Sequence, residues 1–447
     1  HNESQILIRY TLLEANSPTI LRLKPFLAYR SIHKLSKANM LVNTKYTKIE
    51  SGIRSKLYNG FPSLNMQISK PNEFVAVPDW YYNIEYTEEK ARGYDFREDQ
   101  FVPGYFEFPI EAGESIVFSA STVAADVKNL ETKFQELIGL RCPRNHCENC
   151  LRYSASQFIV KNGDETKVIA GYPWFGSWGR DTFIALPGVT LAANNDTESC
   201  KNVLDSMTRK MKNGLFPNIG SAYNSVDAPM WFFKALQEYG TFIDSHKTVW
   251  ENYGAKMKSI LKSFKKGVNK FIFVRDNGLI WADEPGKALT WMDALVDGVP
   301  VTPRGGFQVE VNALWYNAIC YTLELAREFE DTAFIHEWEP VAEKIRKSFI
   351  DIFWNDTLKY LADSVNQDGQ NTEIRPNQII ACSLEYSVLT DEMKSDVIAV
   401  IRKNLLTPKG LRTLAPIDKN YHGTYEGNQR DRDLAYHQGT VWPWLIG

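Results

Sequence analysis

The sequence has no excess of basic residues, because 51 Lys and Arg are outnumbered by 54 Asp and Glu and the net charge is -3. Proteins that bind nucleic acid usually carry a basic excess, so this balance argues against a polyanionic partner. The sequence also has no run of about 18 consecutive apolar residues, the length that a transmembrane helix needs. We therefore expect neither a nucleic-acid partner nor a membrane-spanning protein.

The sequence has no initiator Met, because its first residue is His1. It ends at Gly447, within an apolar run. We expect both ends to be truncated. Because a leader could be missing, export stays open beside the simpler expectation of a cytoplasmic protein.

Cysteine is sparse, with six residues, and no second C-x2-C pair accompanies the one at Cys147 and Cys150. Cys142, His146, Cys147 and Cys150 are compatible with a Cys3His zinc site. Adjacent His146 and Cys147 cannot easily reach one metal together. We favour a solvated surface loop, keep zinc at Cys142, Cys147 and Cys150 as the weaker alternative, and expect no cofactor elsewhere.

The length of 447 residues exceeds what one hydrophobic core usually supports, so two domains are expected. Up to about residue 118, short runs alternate polar and apolar residues between turn clusters, which predicts an antiparallel β-sandwich. From Thr122 the apolar period becomes helical. We therefore predict a β-sandwich domain at 1–118 and a larger helical domain at 119–447, with its helices arranged as successive hairpins around an axis. The predicted strands are 6–13, 19–29, 64–69, 74–77, 80–86, 106–110 and 115–119. The predicted helices are 122–140, 151–160, 182–193, 197–212, 227–242, 247–271, 309–329, 333–353, 376–388 and 391–404.

The stretch from Trp281 to Ala318 has no obvious structural purpose, yet it carries several carboxylates among large apolar groups. Burial of Asp293 beside Trp291 and Met292 would disfavour its charged form and raise its pKa. A carboxylic acid that stays protonated near neutrality can act as a general acid. The stretch therefore predicts the proton donor of a glycoside hydrolase.

A second motif, Tyr172 to Thr182, places Arg180 beside Asp181 and includes Trp174 and Trp178. An Arg next to an Asp offers donors and acceptors together, which suits vicinal sugar hydroxyls. An ion pair in a loop with Trp packed beneath it is the alternative. The aromatic content of the loop favours the site.

Further polar residues could contact a substrate from the loops that precede helices. Glu310 could equally be a carboxylate that the helix dipole favours at a helix start. Glu426 is followed by Gly427, so a ligand could approach it closely. If Asp293 and Glu426 face each other at about 6.5–9.5 Å, a water fits between base and sugar and the reaction inverts the anomeric centre.

Five ordered motifs resemble the C-terminal glucosidase domain of glycogen debranching enzymes, the amylo-α-1,6-glucosidase family. They are YPWFGSWGRDT (172–182), TWMDA (290–294), VEVNALWYNA (309–318), RPNQ (375–378) and YHQGTVWPW (436–444). The region before residue 118 resembles the N-terminal β domain of prokaryotic members. By this resemblance the chain ends before the last helix of the barrel.

The resemblance implies a multidomain, mainly α protein with a glucoamylase-like (α/α)6 toroid behind an antiparallel β-sandwich. It implies inverting hydrolysis of α-1,6 branch linkages in glycogen, limit dextrin or branched maltooligosaccharides, without a cofactor. Asp293 resembles the general acid, Glu426 the base, and Arg180 with Asp181 the clamp on the non-reducing glucose. The predicted substrate-binding set is Trp174, Trp178, Arg180, Asp181, Asp227, Trp231, Trp291, Arg304, Glu310, Asn312, Arg375, Gln378, His437, Gln438 and Trp442.

Two alternatives remain open at this point. One is another exo-acting α-glucosidase of the same barrel, which would cut α-1,4 bonds or trehalose. The other is a non-catalytic glucan-binding protein that uses the same aromatic cleft. Two carboxylates in uninterrupted motifs disfavour the second alternative.

Overall fold

The computed structural model describes residues 4–172 and 175–446. It divides into two compact units, His1–Tyr153 and Ser154–Gly447, so segment 119–153 belongs to the first unit. In the described part of the chain, no helix combines the length and apolarity that crossing a membrane requires.

The first unit contains two antiparallel sheets. Its strands are β1 (Gln5–Thr11), β2 (Thr19–Leu23), β3 (Tyr46–Ile49), β4 (Gly52–Ser55), β5 (Leu64–Ile68), β6 (Glu73–Glu85), β7 (Arg97–Ile110) and β8 (Ser115–Ser121), and its helices are α1 (Thr87–Ala91) and α2 (Leu130–Gly139). One sheet has the order β1-β8-β5-β4-β3 and the other β2-β7-β6. Ile53, Met66 and Phe118 of the first sheet share an apolar core with Phe101 and Phe106 of the second. The two sheets therefore pack face to face.

Strands β3, β4 and the first half of β7 were not predicted. In β4 the reason is local, since a Cβ on Gly52 would lie 2.0 Å from the carbonyl oxygen of Met66. Glycine is needed for this close approach of two backbones, although it weakens a strand pattern in the sequence.

The second unit is built from long helices and short hairpins. Its helices, with α3 at the boundary, are α3 (Cys147–Gln157), α4 (Gly179–Leu186), α5 (Thr197–Thr208), α6 (Ala228–Phe242), α7 (His246–Lys266), α8 (Val309–Glu328), α9 (Thr332–Phe353), α10 (Gln378–Ser383), α11 (Asp391–Asn404) and α12 (Gln429–Tyr436). Its strands are β9 (Ile159–Asn162), β10 (Glu165–Val168), β11 (Ile272–Val274), β12 (Ile280–Ala282), β13 (Leu295–Val296), β14 (Val299–Pro300), β15 (Phe307–Gln308), β16 (Trp354–Asn355), β17 (Tyr360–Leu361), β18 (Ser364–Asn366), β19 (Gly369–Asn371), β20 (Leu406–Thr407), β21 (Gly410–Arg412) and β22 (Val441–Trp442). The described chain is therefore a mixed α and β protein, which corrects the expectation of a mainly α one.

Helices α4, α6, α8 and α10 contact one another in that order, while α7 packs on α6 and α8, and α9 packs on α8. Fifteen of the 20 residues of α8 are buried, as expected for a helix that is covered on all sides. In α9 six of 22 residues are buried, and they form one stripe that begins at Phe334 and ends at Phe353. This alternation indicates an inner and an outer helix layer. Closure into an (α/α)6 toroid stays a prediction.

Helix α12 was not predicted, because its sequence QRDRDLAY shows no apolar period. Its start is nevertheless encoded by a capping box, in which Asn428 and Asp431 bind each other's backbone N–H groups. Other predicted helices have different limits in the structure. The range 122–140 contains only α2 and 376–388 only α10, while 151–160 is shifted, because α3 begins at Cys147 and ends at Gln157 before β9.

Candidate active site

The loop that carries Asp293 is closed at its base. Ala282 and Gly306 exchange backbone hydrogen bonds of 2.9 and 3.0 Å, so both ends of the intervening segment are fixed. Gly306 has a φ of +117°, and a Cβ there would lie 2.3 Å from the carbonyl oxygen of Val365. The loop is therefore anchored by two backbone contacts that only glycine at position 306 permits.

Asp293 opens into a cavity of about 330 Å³. This volume lies within the range of small-molecule sites, about 300–1,000 Å³. The walls are mostly aromatic and aliphatic, with a few polar groups, as in many ligand sites. The lining residues are Phe158, Val168, Ile169, Ala170, Trp178, Arg180, Asp181, Ile184, Ala185, Val189, Trp291, Asp293, Tyr436, His437, Trp442 and Trp444.

Asp293 is held by Arg180 in this cavity. Nη1 of Arg180 lies 3.2 Å from Oδ2 of Asp293, and 32% of the Asp293 side chain is exposed. Burial raises the pKa of Asp293, and it outweighs the opposing effect of the positive charge on Arg180. The pKa of Asp293 is thus shifted in the direction that favours a general acid.

Asp181 is a second cavity carboxyl, in the first turn of α4. Burial raises the pKa of Asp181, and the neighbouring guanidinium of Arg180 opposes this rise. Arg180 and Asp181 thus line the same cavity as Asp293, as the clamp interpretation requires.

His437 belongs to the aromatic wall. Its ring stacks on Trp442 at 5.7 Å and meets the edge of Trp291 at 5.3 Å between ring centroids. Burial lowers the pKa of His437 to about 3, so the ring is neutral near pH 7. Its Nδ1 atom is buried and has no hydrogen-bond partner among the described residues. The ring thus presents an apolar face with unused hydrogen-bonding capacity.

Arg304 and Glu310 lie outside the cavity, in a buried ion-pair network. Nη1 and Nη2 of Arg304 each donate to Glu310 at 2.6 Å, and Nε donates to Asp363 at 2.6 Å. Burial raises the pKa of Glu310 despite this pairing. Arg304 and Glu310 were predicted to bind substrate, but the structure pairs their charged groups with each other and pairs Arg304 with Asp363 as well.

Four other predicted contact residues are also buried and satisfied by the protein. Asn312 binds the backbone of Ile280 at both its amide atoms. Arg375 donates to the backbone oxygens of Thr413 and His437 and to the side chain of Gln438. Gln378 accepts from the backbone of Leu361. Asn312, Arg375, Gln378 and Gln438, which were predicted to contact substrate, thus bind other protein groups and are not among the residues that line the cavity.

Asp227 is fully buried beneath Arg180, and its carboxylate accepts from Nε of Arg180 at 2.8 and 2.9 Å. At the start of α6, the N–H of Ala228 donates to Oγ of Ser225 and not to Asp227. Trp231 is half-buried behind the wall, 6.1 Å from the Trp444 ring. Asp227 and Trp231, which were predicted to contact substrate, are thus not among the residues that line the cavity.

Glu426 is exposed and is not part of the cavity lining. The structure therefore does not bring Glu426 and Asp293 together in one cavity. The preceding residue, Tyr425, has its ring 5.6 Å from that of Tyr436, which does line the cavity. Glu426 thus lies in a loop that touches the cavity wall. Trp174 lies outside the described residues.

The sequence-based site omitted Tyr436, Trp444 and Phe158, which line the cavity, as well as Asp363 and Asn377 in the buried network. Tyr436 and Trp444 stand inside the YHQGTVWPW motif, so their chemistry was visible. Phe158 and Asp363 carry no local signal, because tertiary packing alone brings them to the site.

Cys142, Cys147 and Cys150 are free thiols, and Cys147 is exposed. Within residues 4–172 and 175–446, no group of three or more His, Cys, Asp or Glu side chains is placed to hold a metal ion.

Comparison with protein families gives two matches, one for each end of the chain. The family described as amylo-alpha-1,6-glucosidase matches residues 153–447, and the family described as glycogen debranching enzyme N terminal matches residues 1–117. The glycogen debranching enzyme of Saccharomyces cerevisiae is 25% identical over an alignment 399 positions long, and the match covers 65% of this chain and 25% of the yeast chain. The chain thus spans about a quarter of the length of that relative.

Among solved structures, a bacterial glucoamylase complexed with acarbose is similar, with a TM-score of 0.52 and 12% identity. The match covers 88% of this chain and 63% of the glucoamylase chain. At this identity the likeness shows a shared glucoamylase-like fold and no more.

Proposed function

Because the chain belongs to the glycogen debranching enzyme family, with the N-terminal domain of that family, we propose that it is a glycoside hydrolase that acts on α-glucans and cleaves α-1,6 branch linkages to release glucose. The observation that carries the proposal is the Asp293 carboxyl, which has a raised pKa, in an aromatic cavity beside Arg180. The yeast relative's name and the glucoamylase–acarbose complex support a glucan as the substrate.

In the proposed reaction, Asp293 protonates the glycosidic oxygen while the bond between that oxygen and C1 breaks. A water adds to C1 from the opposite face and gives its proton to Glu426, so the first product is glucose of inverted configuration. Inversion requires about 6.5–9.5 Å between the two carboxyls. The Tyr425–Tyr436 contact supports Glu426 as the base, because it ties the backbone next to Glu426 to the cavity wall.

The remaining cavity groups have binding roles in this proposal. Trp178, Trp291 and Trp442 supply flat apolar walls for the C–H faces of the sugar. Arg180 and Asp181 offer donors and acceptors to the hydroxyls of the terminal glucose.

The decisive experiment compares glucose release from isomaltose, panose and a limit dextrin with release from maltose and trehalose. We expect release from the α-1,6 substrates, and NMR should detect the β-anomer of glucose first. Faster cleavage of maltose or trehalose would identify another exo-acting α-glucosidase. Binding of dextrin with no glucose release at any pH would identify a glucan-binding protein. Either result would overturn the proposed linkage.

A further inference from the structure

Arg180 is shared by two carboxylates of different accessibility. Its Nε donates to both oxygens of Asp227 at 2.8 and 2.9 Å, and its Nη1 lies 3.2 Å from Oδ2 of Asp293. Its Nη2 donates to Ser225 at 3.2 Å, and Ser225 in turn donates to Asp227. Asp227 has no exposed surface, whereas Asp293 opens into the cavity. Asp227 therefore cannot contact a sugar, yet it binds the cation that contacts Asp293.

We propose that Asp227 is a positioning residue that neutralises Arg180, so that Arg180 can orient the Asp293 carboxyl without forcing it to ionise. This inference rests on the proposed function, in which Asp293 is the proton donor. A guanidinium beside an Asp ordinarily lowers the pKa of that Asp by about 1–3 units. When Arg180 is paired with Asp227, Asp293 faces a nearly neutral pair instead of a full positive charge.

The other groups around Asp293 leave this balance in place. Asp181 of α4 adds negative charge and favours the protonated form of Asp293. From the end of α12, burial raises the pKa of Tyr436 to about 12, and burial lowers that of His437 to about 3, so both are neutral near pH 7.

Arg375 packs against Met292 and is paired with Glu373, so its charge is compensated as well. Glu426 is exposed, where solvent screens its charge. Among the described residues around the acid, Arg180 is thus the cation whose neutralisation matters, and Asp227 supplies it.

A purely structural Asp227, which only fixes the start of α6 to α4, is the competing interpretation. It predicts lower stability on substitution, with the titration of Asp293 unchanged. The proposal predicts that Asp227→Asn lowers the pKa of Asp293 by about 1 unit or more, because Arg180 then acts at full charge. A general acid works while protonated, so the alkaline limb of kcat/KM should move to lower pH by the same amount.

The test measures two quantities on the full chain: the alkaline limb of kcat/KM for panose, and the Asp293 carboxyl titration by ¹³C NMR, assigned with Asp293→Asn. Asp227→Glu keeps the charge and should titrate as the wild type does. Asp331→Asn is the matched control, because Asp331 pairs with Lys258 at 2.7 Å at the start of α9, away from the cavity. This control should leave the titration of Asp293 unchanged.

The double variant Arg180→Gln/Asp227→Asn decides the question if Asp227→Asn does not fold, because it leaves no buried charge unpaired. If Asp227 neutralises Arg180, removal of both charges keeps the pKa of Asp293 close to the wild-type value. A rise of about 1 unit or more in the double variant would overturn the inference, as would an unshifted Asp293 in folded Asp227→Asn. A chain that releases no glucose refutes the proposed function alone, since the NMR titration still decides this inference.

Discussion

The indole N–H of Trp291 donates to Oδ1 of Asn377 at 2.7 Å, and both groups are buried. Nδ2 of Asn377 donates to Oδ1 of Asp363 at 2.7 Å, which links the indole to the Arg304 ion pairs. Trp291 stands two residues before Asp293 and lines the same cavity. The buried network thus sets the position of the wall beside the acid.

Asn377→Ala should lower the free energy of unfolding by about 2–4 kcal/mol. It leaves the indole N–H without a partner, and a buried unsatisfied group costs about 1–3 kcal/mol. It also removes the 2.7 Å hydrogen bond to Oδ1 of Asp363, which keeps only the 3.3 Å bond from Nη2 of Arg304. Urea denaturation measures the loss. Asn366→Ala, at an exposed turn position, is the control and should stay close to the wild type. An equal loss in both variants would refute a role for the buried network.

Asp293→Asn should abolish glucose release while dextrin binding, measured by calorimetry, persists. The amide keeps the size of the carboxyl but cannot donate the proton that the leaving oxygen requires. Asp297→Asn is the matched control in the same loop, since Asp297 is exposed and pairs with Arg430. Full activity in Asp293→Asn would exclude Asp293 as the acid.

Glu426→Gln should lower kcat by about 10²-fold or more with little change in KM, because loss of a general base costs about 10²–10⁴-fold. The measurement is steady-state hydrolysis of panose. Asp433→Asn, on the adjacent α12, serves as the control. A loss of less than about tenfold would remove Glu426 as the base and leave Asp181 as the remaining cavity carboxylate.

Arg304→Met should destabilise the protein by about 3–5 kcal/mol, because Glu310 and Asp363 are left as buried charges without their cation. KM for panose should not rise in the folded fraction, since Arg304 lies outside the cavity. Arg346→Met removes an exposed partner of Glu343 and should cause no measurable loss. A higher KM at unchanged stability would restore Arg304 as a substrate contact.

The free energy of unfolding should decrease at acidic pH, because His437 is buried in its neutral form. The unfolded histidine binds a proton near pH 6.5, but burial holds the folded pKa at about 3. The contribution is therefore fully present above pH 6.5 and is lost as pH falls from there towards 3. Between pH 7 and pH 5 the loss is about 2 kcal/mol. In urea denaturation, His437→Asn should remove this pH-dependent part of the free energy of unfolding. The control His336→Asn, at an exposed position, should keep the pH dependence of the wild type. Identical pH dependence in all three proteins would contradict the burial argument.

Much of the fold was predictable because its signals are local. The stripe of α9 and the buried period of α8 follow from apolar spacing, and their predicted limits lie within one residue of the observed ones. Strand β4 was not predicted because Gly52 interrupts the alternation of polar and apolar residues. Helix α12 was not predicted because its charged residues leave no apolar period. Their determinants are a backbone contact and a capping box.

The motifs that form the site could be predicted from the sequence. Which residues of these motifs line the cavity could be predicted less well. Trp291, Asp293 and His437, which the motifs singled out, all line the cavity. Arg304 and Asp227 are charged residues near the start of a helix, as Arg180 is, but only Arg180 lines the cavity. Only tertiary packing decides which charged side chain faces the cavity and which one faces another buried charge.

The bridge between Ala282 and Gly306 has a practical consequence for protein engineering. Inside the loop that it closes, β13 and β14 form a hairpin whose turn residues, Asp297 and Gly298, have φ values of 52° and 76°. Val299 is exposed on this hairpin. The substitution Val299→Cys would therefore attach a fluorophore to the segment that holds the acid, at a position that already faces solvent.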